Sequence, residues 1–392
     1  MNDIIEETKG KEGKLAMANI KYPDLGILAT EGSKEFVEKV NKLLNDWDDE
    51  REVNFVIPSS CPRFGSGEGK GLIQESIRGK DIYIFVDVTN YSVTYKVCGI
   101  ENHMSPDDHF ADLKRLIAAC NGKAKRITVI MPFLYEGRQH RRTTRESLDC
   151  ALMLRELESI GVSDIIAFDA HDPRVQNAIP LHSLENVRPT YQVVKSLFKE
   201  VDDLTLDDEH LMIVSPDEGA SDRAIYLANI LGVNVGMFYK RRDYTKIVDG
   251  RNPIVAHEFI GESVKGKDII VVDDMISSGD SMIDVAQQLK NRGANRIFVN
   301  ATYGLFTNGL DKFDEAVKNG IIYKILTTNL VYQTKELLKR DYYINVDMTE
   351  YTAAIISNLT RDHSISELIN PAEKLKKLTE NYIANQKKKE NA

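Results

Sequence analysis

The sequence predicts an α/β fold with mostly parallel sheets flanked by helices, and three observations carry that expectation. From Leu25 onward, short apolar and β-branched runs alternate with segments that repeat their apolar residues at helical spacing. Glycines and small polar residues separate the two kinds of segment, as around Gly279 and Gly293. Acidic, basic and histidine residues cluster just beyond the ends of apolar runs, where open α/β sheets bind their ligands.

The bulk properties agree. A chain of 392 residues is long enough for two domains, and 42% apolar content supplies their cores. With 51 basic against 60 acidic residues the net charge is -9, which argues against a general nucleic-acid binder. Cys61, Cys98, Cys120 and Cys150 have no metal-binding spacing, so they read as reduced thiols. No apolar run approaches membrane length, and the N-terminus lacks a signal peptide's apolar segment, so a cytoplasmic location is expected.

Residues 1–20 are a charged lead. Thereafter the pattern predicts strands at 26–29 and 81–88, with helices at 33–44 and 107–119. Strands follow at 126–131 and 164–168, and helices at 146–160 and 187–198. A strand at 211–214, a helix at 221–231 and a strand at 233–238 lead to the stretch on which the chain is centred. There Ile269-Ile270-Val271-Val272 is expected to be a strand buried on both faces, stopping on Asp273 and Asp274. The small polar loop Ser277-Ser278-Gly279-Asp280-Ser281 then opens a helix through Leu289. Strand 296–302, helix 311–319 and strand 323–326 complete a second α/β unit; residues 371–392, with Lys387-Lys388-Lys389, read as a solvated charged tail.

Loops after strands carry the chemistry. Backbone N–H groups and the positive helix end at 277–281 make an anion site suited to phosphate. Asp273 and Asp274 suit sugar hydroxyls beside a divalent cation; the plain alternative is a βα turn with two surface acids. In the loop from Pro62 to Glu68, glycines flank Phe64 and Glu68, a composition suited to a planar base, or simply a glycine-rich turn. Arg138, Arg141 and Arg142 follow a strand and fit polyphosphate recognition, with a solvated basic patch as the alternative. Asp169 and His171 can supply two ligands to one cation or be a hydrogen-bonded structural pair. Asp217 sits where another strand ends. Tyr239-Lys240-Arg241-Arg242 is expected to leave a strand for the polar segment 243–252, which can close its cations over transferring phosphates.

VVDDMISSGDS resembles the phosphoribosyl-diphosphate loop of the type I phosphoribosyltransferases. The remaining motifs narrow the resemblance to the ribose-phosphate diphosphokinase family, over roughly residues 22 to 370. RFGSGE looks like that family's RFPDGE, GRQHRR is similar to its ARQDRK, VSPDEGASDRA to its VSPDxGGxxRA, and ATYGLFTNG to its ATHGLFSGG.

The resemblance implies two similar phosphoribosyltransferase-like domains. The ATP side would be 21–187 with 345–370, where the helix within 346–368 returns to the first domain; the ribose 5-phosphate side would be 188–344. It implies that Phe64, Ser66, Glu68, Arg138 and Gln139 contact ATP, and that His171, Asp169 and Asp217 organise Mg2+. Asp217, Asp273, Asp274, Ser277, Ser278, Gly279, Asp280 and Ser281 would hold ribose 5-phosphate, with Lys240 and Arg242 as transition-state cations. The implied reaction transfers the diphosphoryl group of ATP to the ribose 1-hydroxyl in a homo-oligomer, a hexamer or dimer. Ser277 and Ser66 stand where the family usually has Asp, or Asp or Asn, and His140 replaces an acid. A catalytically silent family-like regulatory partner is the alternative. A phosphoribosyltransferase that consumes the activated sugar fits less well, since it would need no ATP side.

Overall fold

The structure, a computed structural model, describes residues 24–47, 53–242 and 254–390. The lead at 1–20 and the polar segment 243–252 lie outside the described residues. Contacts divide the chain into two units. One comprises the described residues up to Arg188 with Leu330–Tyr332 and Met348–Asn370; the other comprises Pro189–Asn329, Gln333–Asp347 and the described residues from Pro371.

The first unit opens with β1 (Leu25–Ala29), fully buried, and α1 (Lys34–Trp47). Helix α1 buries Val37, Val40 and Leu44, the one face its periodicity marks as apolar. Two small hairpins then appear that the sequence pattern did not signal. One pairs β2 (Ser59–Ser60) with β3 (Leu72–Ile73). After β4 (Asp81–Phe85), the other pairs β5 (Thr94–Val97) with β6 (Ile100–His103). None of their residues is buried, so no apolar alternation announces them. Helix α2 (Pro106–Cys120) starts with Pro106 in its first turn and a capping box between Ser105 and Asp108.

Next come β7 (Arg126–Ile130), α3 (Asp149–Ser159), β8 (Asp164–Phe168) and β9 (Ser183–Val187). Helix α3 begins at Asp149 rather than Glu146, because Glu146 instead accepts the Thr143 backbone N–H at 3.3 Å in a turn of its own. Strand β9 takes Val187, the first residue of the helix expected at 187–198, and the helix begins only behind Pro189, which has no N–H to donate. The five strands form one sheet in the order β1-β4-β7-β8-β9, with every pair parallel.

The second unit contains α4 (Thr190–Glu200), β10 (Leu211–Ser215), α5 (Ser221–Leu231), β11 (Val235–Arg242) and β12 (Ile254–Ile260). It continues with β13 (Asp268–Ile276), α6 (Asp280–Asn291), β14 (Ile297–Gly304), α7 (Asp311–Lys318), β15 (Lys324–Thr328) and β16 (Tyr343–Val346). Its sheet runs β12-β11-β10-β13-β14-β15-β16, parallel except for the β11–β12 pair. Two expectations are corrected here. Strand β13 does not stop at the acids but continues to Ile276, since β14 offers ladder partners as far as Gly304. Lys240 and Arg242 lie on β11 itself, paired with β12, with a register shift between Arg241 and Arg242.

Helices α8 (Thr349–Thr360) and α9 (Ser366–Ile369) fall in the first unit, where α8 packs on α1. Arg126 reaches this region, donating to the Leu359 carbonyl at 2.8 Å. The last helix, α10 (Ala372–Glu390), packs on α4 and α5 in the second unit. Its charge suggested a solvated end, yet Leu375, Thr379 and Tyr382 are buried. The Tyr382 ring stacks on Phe198 at 4.0 Å, and its hydroxyl donates to Val201 O at 2.8 Å while accepting the Leu204 N–H at 2.9 Å.

Tyr382→Ala is expected to lower the stability of the second unit by about 3 kcal/mol, on the scale of emptying a buried aromatic site. Urea denaturation followed by circular dichroism measures this; an unchanged transition would show that α10 is not part of the folded unit.

Candidate active site

The second unit carries acids and an anion cradle at the carboxyl edge of its sheet. Strand β13 lies between β10 and β14, and pairing sets Asp273 opposite Ala301. Asp274 is buried and Asp273 half-buried, and the Asp274 N–H donates to Asp273 Oδ1 at 2.8 Å. Burial, then the like charge of Asp274, push the Asp273 carboxyl well above the ordinary carboxylate range; the Asp217 charge acts in the same direction. Asp217 heads the turn after β10. Its Oδ1 accepts the Gly219 N–H at 2.9 Å, and its carbonyl accepts the Ser215 hydroxyl at 2.6 Å.

Residues Ser277 to Ser281 turn the chain from β13 into α6. The loop after β14 pins this turn: Ile276 O accepts the Leu305 N–H at 2.9 Å and Ser277 O the Thr307 N–H at 3.0 Å. Gly279 has φ +88°, and a Cβ there would meet the Phe313 ring at 2.2 Å, so both conformation and space demand glycine. In α6 the Ile283 N–H reaches Gly279 O at 2.9 Å, and the N–H groups before it have no preceding helical turn to bond to; that of Asp280 donates to Ser278 Oγ at 3.4 Å. Asp280 is exposed and its carboxylate pairs with Lys312 on α7, which holds its pKa below the usual range. Its negative charge is thereby answered by an ammonium within the protein.

The first unit carries the aromatic and cationic groups. Parallel-ladder bonds continue past the strand ends, with Met131 N–H to Ile166 O at 3.0 Å and Asp169 N–H to Val187 O at 2.9 Å, so the following loops start from fixed points. Phe64 is 54% exposed on a tight turn in which its N–H donates to Glu68 O at 2.7 Å. The Ser66 hydroxyl donates to Glu68 Oε2 at 2.7 Å, so these two side chains act together. Arg138, Arg141, Arg142 and Arg145 are all exposed. Gln139 braces the loop that carries them, its Nε2 donating to Ser147 O at 2.8 Å and to Arg141 O at 3.4 Å.

Asp169 is buried with φ +41°, and His171 is exposed beyond it. Two residues absent from the sequence-based site join them. The His140 ring lies 5.5 Å from that of His171, and its Nε2 is 3.3 Å from Asp172 Oδ2. Burial is the largest influence on the His140 pKa and lowers it, against the raising charge of Asp172, and Nδ1 is a buried atom with no hydrogen-bond partner. Asp172 is held far below the carboxylate range chiefly by Arg174. The substitution of His140 in a motif otherwise basic was the one sequence signal for this cluster. Among the described residues, no group of three or more His, Cys, Asp or Glu side chains is arranged to hold a metal ion. Of Lys240 and Arg242, the structure describes the backbone, on β11.

Residues 25–161 match the family model for the N-terminal domain of ribose phosphate pyrophosphokinase, and residues 181–304 match that for a phosphoribosyl transferase domain. The chain belongs to the ribose-phosphate pyrophosphokinase family. It is 30% identical to ribose-phosphate pyrophosphokinase of Mycoplasma genitalium, over 91% of this chain and 96% of that protein. It is 26% identical to the Vibrio parahaemolyticus protein of the same name, over 89% of this chain and all of that one. The crystal structure of phosphoribosylpyrophosphate synthetase from Mycobacterium smegmatis shares the fold, with a TM-score of 0.70 over 86% of this chain and 99% of that one at 21% identity. Membership makes this chain an enzyme of the pyrophosphokinase class, with two phosphoribosyltransferase-like units. Among the described residues no helix is long and apolar enough to cross a membrane.

Gly279→Ala is expected to cost about 2–4 kcal/mol, from left-handed strain plus overpacking against Phe313, and to abolish phosphate binding at the loop. Thermal unfolding with and without ribose 5-phosphate checks both. For Asp273 the sign follows from its raised pKa. Ionisation is disfavoured in the folded chain, so ligand-free stability falls as pH rises from the unfolded carboxylate value toward the folded one. Asp273→Asn is therefore expected to stabilise the ligand-free chain at pH 8 by on the order of 1 kcal/mol, an advantage lost in acid, while removing turnover. Denaturant midpoints at pH 8 and pH 4 measure the difference.

Proposed function

We propose that the chain transfers the diphosphoryl group of ATP to the 1-hydroxyl of ribose 5-phosphate, giving 5-phosphoribosyl 1-diphosphate and AMP. The observation that carries this is the delivery of Asp273 and Asp274 to the mouth of a glycine-dependent anion loop, in a chain whose first α/β unit bears exposed Phe64 and arginines.

In this proposal residues 21–187 with 345–370 form the ATP side. Phe64 stacks on the base, Ser66 and Glu68 take its polar edge, Arg138 meets the polyphosphate, and Gln139 holds the arginine loop and offers its carbonyl. Residues 188–344 form the ribose 5-phosphate side. Backbone N–H groups and hydroxyls from Ser277 to Ser281 cradle the 5-phosphate, and Asp217, Asp273 and Asp274 orient the ring hydroxyls. Lys240 and Arg242 answer the charge that develops on the transferring group.

The family's metal chemistry fits the donors present. Mg2+ prefers one or two carboxylates together with substrate phosphates over an all-protein cage, which agrees with closely spaced acids that form no closed set among the described residues. When bound it would supply positive charge that offsets the phosphates; Asp217, Asp169 and His171 would hold it. A homo-oligomer, dimer or hexamer, and a cytoplasmic location belong to the same proposal, the latter supported by four cysteines that are all free.

Phosphorus NMR of the full chain with ATP, Mg2+ and ribose 5-phosphate tests it. AMP and a phosphoribosyl diphosphate signal are expected, with the rate in Lys240→Ala reduced by about 100-fold or more, as for loss of a transition-state donor. A folded chain that binds both substrates without forming AMP would instead be the silent regulatory partner.

A further inference from the structure

The turn that presents Phe64 contains Gly65, Gly67 and Gly69, so its sequence gives it little stiffness of its own. Its neighbour Arg63 has the opposite environment. While Phe64 is more than half exposed, the Arg63 side chain is only 9% exposed and forks onto Asp112 of α2, with N–O distances of 2.5 and 3.0 Å. The guanidinium also lies over the Tyr95 ring of β5, 5.0 Å from its centroid, and Tyr95 in turn donates to Asp108 of α2 at 3.1 Å. Arg63 pairs with Gly69 across the turn, where a Cβ would stand 2.1 Å from an Arg63 nitrogen. Glycine is therefore what lets the fork pass.

We propose that Arg63 is the positioning residue of the nucleotide turn, a role that rests on the assignment of Phe64 to ATP above. Successive side chains of an extended segment point to opposite sides. Locking Arg63 inward on Asp112 thus fixes Phe64 outward and sets the plane of its ring before any ligand arrives. Packing alone does not do this, since Arg63, Tyr95 and Asp112 also border a cavity of about 340 Å3 into which an unpinned turn can relax. Because β5 touches the same guanidinium, and the Cys98 N–H donates to Gly65 O at 2.8 Å, the hairpin and the nucleotide turn are held as one piece.

Steady-state kinetics of the full chain with each substrate varied tests the proposal. Arg115 donates to the same Asp112 oxygen at 2.6 Å, so Arg63→Met leaves no stranded carboxylate and is expected to fold. Its KM for ATP is expected to rise about tenfold while kcat stays within about twofold and the KM for ribose 5-phosphate is unchanged, the pattern of lost pre-organisation. Arg63→Lys keeps the charge but not the planar fork, and an intermediate rise of about threefold is expected. Phe64→Ala is the control for the assignment itself. If Phe64→Ala raises the KM for ATP and the folded Arg63 variants do not, or if they lose activity equally toward both substrates, Arg63 is only structural and the proposal is overturned. If Phe64→Ala leaves the KM for ATP unchanged, the turn is not the nucleotide site, and the underlying assignment fails instead.

Discussion

The organising constraint is electrostatic: two adjacent carboxylates are carried into the mouth of an anion-binding loop by a strand that is buried on both faces. The apolar body of β13 is held between β10 and β14 by parallel ladders on both sides. Asp273 is therefore fixed where burial and the like charge of Asp274 both oppose its ionisation. Burial and like charge together favour an opposing charge or a hydroxyl donor beside Asp273.

The neighbouring anion loop solves the complementary problem. Gly279 permits a turn no other residue fits, Phe313 fills the space beneath it, and the loop after β14 ties its carbonyls down. With the carbonyls spent inward, the amides are what the loop offers to a ligand. Asp280, which by sequence places a negative charge inside this cradle, is neutralised by Lys312. In the first unit the same logic operates with the signs reversed: exposed guanidiniums are carried on a loop braced by Gln139, and an exposed Phe64 is paired with a buried Arg63.

Much of this was legible because strand and helix periods differ and because chemistry gathers at strand ends. The runs at 164–168 and 221–231 match the observed elements, and the small-residue loop at 277–281 does open a helix. The hairpins at 94–103 and 59–73 were not legible, because exposed strands need no apolar alternation. Nor was the full length of β13 or β11, since a strand ends where its partners end. The polar face of α10 concealed Tyr382, whose burial depends on Phe198 far away in sequence.

By itself the sequence determined the α/β class, the two-unit organisation and the motifs that identify the family, because these depend on local pattern and residue chemistry. Tertiary structure alone decided the protonation pressure on Asp273, the pairing of Asp280 with Lys312, the placing of His140 beside His171 and Asp172, and the inward lock of Arg63 on Asp112. Each depends on a charge or a volume brought close by folding. Distance and desolvation set such energies, and neither is written in the order of residues.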